Sequence, residues 1–251
     1  MRKLVALAAG LAILGTLAGT ALANHSWGKY HWARTSNPLT LKVGDNVGTA
    51  WDSYLNEAIS DWSASTVLDL TKVAGSTTGT TCAPTAGRIE ACNANYGATG
   101  WLGIAQIWTQ RRSHISQATA KVNDYYFNQA QYNTPPWRRL VMCQELAHDW
   151  GLGHQDENFS NANLGSCMDY TSDPDGPPSN EHPNAHDFAQ MLTIYGHNDN
   201  TNTVGAGTPS DVPGNAKPFS QASRANGSVY VDHLPDGVTR LTHVFWTPFG
   251  E

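Results

Sequence analysis

The chain of 251 residues carries 15 lysines and arginines against 21 aspartates and glutamates, a formal charge of −6 with no basic stripe, which excludes the electrostatic footprint of a nucleic-acid-binding protein. Hydrophobic residues make up 40% of it and nine residues are tryptophan, enough apolar bulk for a packed core and too much for a disordered chain. The tryptophans are dispersed along the sequence, so by themselves they do not outline a carbohydrate-binding platform.

In chain order, Met1-Arg2-Lys3, an apolar run from Leu4 to Leu22 and the small-residue end Ala21-Leu22-Ala23 read as a secretory signal peptide over 1–23. The mature chain then starts at Asn24 and is secreted to the extracellular space. It has no second apolar run long enough to span a bilayer, so no stable membrane insertion is expected after cleavage. Asn37 to Val43 alternates polar and apolar residues and predicts a strand that ends at Gly44-Asp45. Trp51, Tyr54, Leu55, Ala58, Ile59 and Trp62 recur at helical spacing and predict an amphipathic helix over about 49–63. Val67–Val73, Arg88–Asn93 and Trp101–Trp108 read as strands. Ser116–Phe127 reads as another, either at a sheet edge where an extended peptide could add as a further strand or as an ordinary covered strand.

Pro135-Pro136 suits the first turn of a helix, and Leu140, Cys143, Ala147 and Trp150 give that helix an apolar face that Gly151 terminates. After an Asp/Pro/Gly/Ser-rich loop over 171–179, Asn184–His197 predicts a further helix with Phe188, Met191, Leu192 and Tyr195 inward. Residues 198–218 form a polar linker. Residues 219–251 hold two alternating apolar runs around Leu234-Pro235-Asp236-Gly237, a β-hairpin pattern. Four cysteines in an exported chain point to two disulfides, for which three connectivities exist. Pairing of neighbours is expected, Cys82 with Cys92 and Cys143 with Cys167.

The chemistry concentrates in residues 143–156, Cys-Gln-Glu-Leu-Ala-His-Asp-Trp-Gly-Leu-Gly-His-Gln-Asp, followed by Cys167-Met168-Asp169-Tyr170. Gln144 and His148, four apart, stack on one helix face with Glu145 three before His148, and a reversal at Gly151 would let His154 return to the same point. Two histidines and a carboxylate at this spacing suit a zinc ion with an adjacent general base.

Glu145, His148, Gly151, His154 and Met168 resemble, position by position, the His-Glu-x-x-His-x-x-Gly-x-x-His motif and methionine turn of the metzincin zinc metalloproteases, of the secreted, matrixin-like kind. The resemblance spans roughly residues 37–197, makes 24–197 a catalytic domain, and leaves the tail unexplained. It implies an α+β fold: a twisted mixed sheet of about five strands with an active-site helix, a methionine turn and a C-terminal helix. It also implies zinc-dependent endopeptidase activity on a protein or peptide substrate, with a metal-bound water activated by Glu145, His148 and His154 as ligands, and Tyr170 stabilising the oxyanion. Monomer is the default for such an enzyme.

Gln144 departs from the pattern, because the family has its first histidine there. Its amide oxygen is neutral like the imidazole nitrogen but a poorer zinc donor. Three outcomes stay open: zinc on Gln144, His148 and His154; zinc on the two histidines with an extra ligand such as Asp156, His114, His182 or His186; or no zinc. The last would make the chain a pseudoprotease that binds peptide in the same cleft without cutting it. A secreted carbohydrate-binding module is a further alternative. The acidic residues Asp156, Glu157, Asp169, Asp173 and Asp175 raise a calcium site as a secondary idea beside a solvated acidic loop.

Overall fold

A computed structural model describes residues 25–110, 113–205, 227–234 and 237–249. The expected signal peptide, most of the expected polar linker, and Pro235 and Asp236 lie outside the described residues. Among those described, no helix is long and apolar enough to cross a membrane.

The described residues form a mixed sheet of eight strands with four helices. Strand β1 (His31–Trp32) is short, and β2 (Leu39–Asn46) buries Leu39, Leu41 and Val43 while Thr40 and Lys42 face solvent, the period-2 pattern of a strand with one covered face. Helix α1 (Asp52–Trp62) buries Leu55, Ala58 and Trp62 and leads into β3 (Leu68–Ala74), which lies parallel to β2. Strands β4 (Ile89–Ala94), β5 (Trp101–Gln110) and β6 (His114–Asn123) follow, then a one-turn helix α2 (Asp124–Phe127), the central helix α3 (Pro135–His148), and α4 (Ala185–Ile194). Strands β7 (Val229–His233) and β8 (Thr239–Trp246) complete the sheet. Its order is β3-β2-β4-β6-β5-β8-β7, with β1 added on β6; β5, β7 and β8 run antiparallel to their neighbours and the other pairs are parallel.

The structure corrects several sequence expectations. Eight strands replace about five, the additions being β1 and the β7–β8 hairpin. The strand expected over 116–127 stops at Asn123, whose side chain accepts from Tyr125 N and caps α2, so Tyr125-Tyr126-Phe127 is helical. That strand is also interior, between β4 and β5. Leu192, expected inward, is exposed. The first part of the linker is pinned to the body: Asp199 N donates to Arg34 O at 2.7 Å and Thr203 N to Ala33 O at 3.0 Å.

Both expected disulfides are present, Cys82–Cys92 and Cys143–Cys167. All nine tryptophans are buried, so none presents a face to a polysaccharide. Helix α3 packs on α1, β5, β6 and β8, and is buried from Leu140 to His148. Its apolar support includes Trp62, which stands edge-on to Trp150 at 5.4 Å between centroids and donates its indole N–H to Cys143 O at 3.1 Å. Trp62→Ala removes that ring and the bond together. Urea unfolding should show a loss of about 3–5 kcal/mol; a loss under about 1 kcal/mol would contradict this packing.

Candidate metal centre

Helix α3 starts at the extended N-cap Thr134, with proline in its first turn where no N–H is missed. It ends at His148, and Gly151 then takes a φ of +101°, which only glycine adopts without strain. The reversed chain is held by a short antiparallel pairing: Trp27 N donates to Gly151 O at 2.6 Å, Gly153 N to His25 O at 2.5 Å, and Ser26 bridges Leu152. A side chain on Gly151 would meet Tyr30 O, so the reversal and the N-terminal segment fit only around glycine. This brings His154 back to His148, with ring centroids 4.6 Å apart. Next, Gln155 N donates to Met168 O at 2.6 Å and Tyr170 N to Asp156 O at 3.1 Å, which lays Tyr170 against His154 at 4.5 Å. Met168 is buried, and its N–H donates to Ser166 Oγ at 2.9 Å.

A third histidine, absent from the sequence expectations, completes the cluster. His243 of β8 stacks on His148 at 3.8 Å and lies 4.8 Å from the His154 ring. One nitrogen from each of His148, His154 and His243 falls within 4.8 Å of the other two, and this group could hold a metal ion. Alternation explains the placement. Leu241 and Phe245 of β8 join the main core while Val244 and Trp246 pack on the opposite side, so His243 points to the α3 side. Opposite it on β5 stands Ala105, and opposite Phe245 stands Gly103. These small residues make the room: a Cβ on Gly103 would collide with the Glu145 carboxylate.

Each histidine of the motif has its outer nitrogen fixed. His148 Nδ1 lies 2.8 Å from Leu152 O, and His154 Nδ1 lies 2.7 Å from Glu157 Oε1, which also accepts from Ser228 Oγ at 2.7 Å. Carbonyl and carboxylate oxygens can only accept, so Nδ1 is the donor in each ring and Nε2 is the remaining ligand atom, the orientation of metal-binding histidines. Burial, then the neighbouring imidazoles, holds His148 and His243 well below the ordinary histidine range and therefore neutral. Burial pushes Glu145 well above the carboxylate range, and burial followed by Glu145 does the same to Asp149.

Several buried atoms here have no hydrogen-bond partner: Nε2 of His148 and His154, both nitrogens of His243, Oε1 of Gln144 and both oxygens of Glu145. Buried polar atoms are rarely left so, and three imidazole nitrogens converging at one point could hold a metal ion. Gln144 turns its amide nitrogen away, donating to Cys167 O at 2.6 Å, with the amide oxygen left over. Tyr170 is engaged through its hydroxyl, which donates to Val244 O at 3.0 Å.

None of the substitute ligands weighed from sequence joins this cluster. His114 and His182 pair with Asp199 and Asp61, His186 stacks on His25, and Asp156 bridges Asp169 and accepts from Asn158 N. In the acidic loop Asp169 Oδ2 accepts from Leu164 N and Asn180 Nδ2, while Asp169 Oδ1 is buried without a hydrogen-bond partner. His243 had one signal in the sequence, a histidine at an inward position of the last alternating run.

No protein-family model matches the chain, and no curated protein matches it. The site is therefore read from its own geometry. His243→Ala should weaken zinc binding by at least about tenfold in competition with a chromophoric chelator, whereas His182→Ala, beside Asp61, should leave it unchanged. Equal affinities for all three proteins would contradict the assignment of His243.

Proposed function

We propose that the chain is a zinc-dependent hydrolase of peptide bonds, of metzincin type and acting outside the cell, in which His243 takes the ligand role that Gln144 cannot fill. The observation that carries this reading is the convergence of three imidazole nitrogens next to the helix turn that bears Glu145. Zinc held by His148, His154 and His243 would supply Lewis acidity and lower the pKa of an attacking water toward about 7. Glu145, in the last turn of α3, would be the base for that water and the proton donor to the leaving amine. Leu152 O and Glu157 orient the two motif imidazoles through Nδ1. Gly103 leaves the space that the Glu145 carboxylate occupies.

In this conformation the site is covered. Glu145, His148 and Gln144 are wholly buried, and β8 runs antiparallel along β5. A substrate would reach Glu145 only when this cover opens while His243 stays with the two motif histidines.

The same cover favours a second reading, a pseudoprotease whose cleft is filled by its own strand. A mixed quenched-peptide library separates the two. The hydrolase reading expects cleavage by the full chain that is lost in Glu145→Ala, lost on chelation and restored by zinc. Zinc-loaded protein that binds peptides but cuts none, at concentrations far above catalytic need, would leave the pseudoprotease reading standing.

A further inference from the structure

Three of the remaining histidines gather at a second place, remote in sequence from the motif. Strand β1 pairs with β6 so that His31 stands in register with His114, their rings 5.0 Å apart. The stretch after α4 returns over them with His197 and Asp199. Asp199 Oδ1 lies 3.3 Å from His31 Nε2, 3.4 Å from His114 Nε2 and 3.6 Å from His197 Nε2, and the Nε2 atoms of His31 and His197 are 3.3 Å apart.

His31 Nδ1 lies 2.8 Å from Lys29 O, so Nε2 is the nitrogen that faces the Asp199 carboxylate and His197. One donor atom from each of His31, His197 and Asp199 lies within 4.8 Å of the other two, a grouping that could hold a metal ion. Nitrogen and oxygen ligands about 2.0–2.1 Å from a tetrahedral ion stand about 3.3–3.4 Å apart, close to the spacings here. The carboxylate is aimed by the backbone: Arg34 N donates to Asp199 Oδ2 at 3.0 Å, and Asp199 N donates to Arg34 O at 2.7 Å. His31, Asp199 and His114 are largely covered while the His197 side chain is 51% exposed, which gives an ion a way in.

We propose that His31, His197 and Asp199, with His114 as the fourth donor, form a second metal site for zinc or a zinc-like divalent ion. All its donors come from protein, so the site is structural rather than hydrolytic. It clamps three separate stretches, β1, the start of β6 and the segment after α4, and so anchors the chain that leads from α4 toward the β7–β8 hairpin. The proposal does not depend on the hydrolase reading.

The test is a cobalt(II) titration of the chelated full chain, read by the visible d–d absorption of four-coordinate cobalt, with melting temperature followed under zinc(II). Two equivalents are expected for the native chain. His197→Ala, at a half-exposed position that the fold tolerates, should lose one equivalent and most of the zinc-dependent rise in melting temperature while keeping the equivalent at His148. His148→Ala should lose the other one. A His197→Ala protein that binds as many equivalents as the native chain overturns the proposal. So does a second equivalent that disappears with His186→Ala instead, or a native chain whose single equivalent disappears with His148→Ala.

Discussion

The antiparallel ladder that seats β8 on β5 delivers His243 to the motif helix, and the geometry of the centre depends on it. His243 lies opposite Ala105 in β5 and opposite Val229 in β7, so its position is set by strand register on both sides. A slip of one residue would turn His243 to the far face of the sheet and bring Val244 or Thr242 inward. The register is fixed by the sorting of side chains, with Leu241 and Phe245 in the main core and Val244 and Trp246 in the smaller cluster beyond the sheet. Side-chain bonds reinforce it at both ends of the site, from Tyr170 to Val244 O and from Ser228 to Glu157.

Around that ladder the centre is dry, and dryness decides its electrostatics. Burial, then the neighbouring imidazoles, drives His148 and His243 toward their neutral forms, and burial drives Glu145 toward its protonated one. Neutral imidazoles are what a metal needs, and a bound dication would favour the ionised carboxylate beside it. The same burial makes the centre costly to leave as bare polar atoms, because each loses its bonds to water. A metal ion offsets that cost for the nitrogens. It does not explain Asp149, whose two carboxylate oxygens are also buried without a partner.

Much of this was legible from residue order. The motif helix, the reversal at Gly151 and both disulfides follow from local rules of spacing, capping and export, and they appear where those rules put them. The failures share a cause, which is that sheet order is not local. An alternating run does not say which strand it joins, so sequence leaves open whether the 116–127 run lies at an edge or under cover and whether the C-terminal hairpin packs on the domain; pairing puts β6 between β4 and β5 and the hairpin alongside β5. For the same reason His243, 89 residues beyond His154, reaches the motif only through strand pairing. The cluster at Asp199 was hidden for the same reason, since His31 and His114 meet through the β1–β6 register.

The central claim is that β8 supplies a histidine to the motif's metal. A crystal of the zinc-loaded full chain, with anomalous difference density measured at the zinc edge, tests it most directly. The account predicts a peak bonded to His148, His154 and His243 at about 2.0–2.1 Å from each nitrogen. A peak bonded to Gln144, His148 and His154 with His243 standing clear, or no peak at the motif in protein that carries zinc elsewhere, would contradict it.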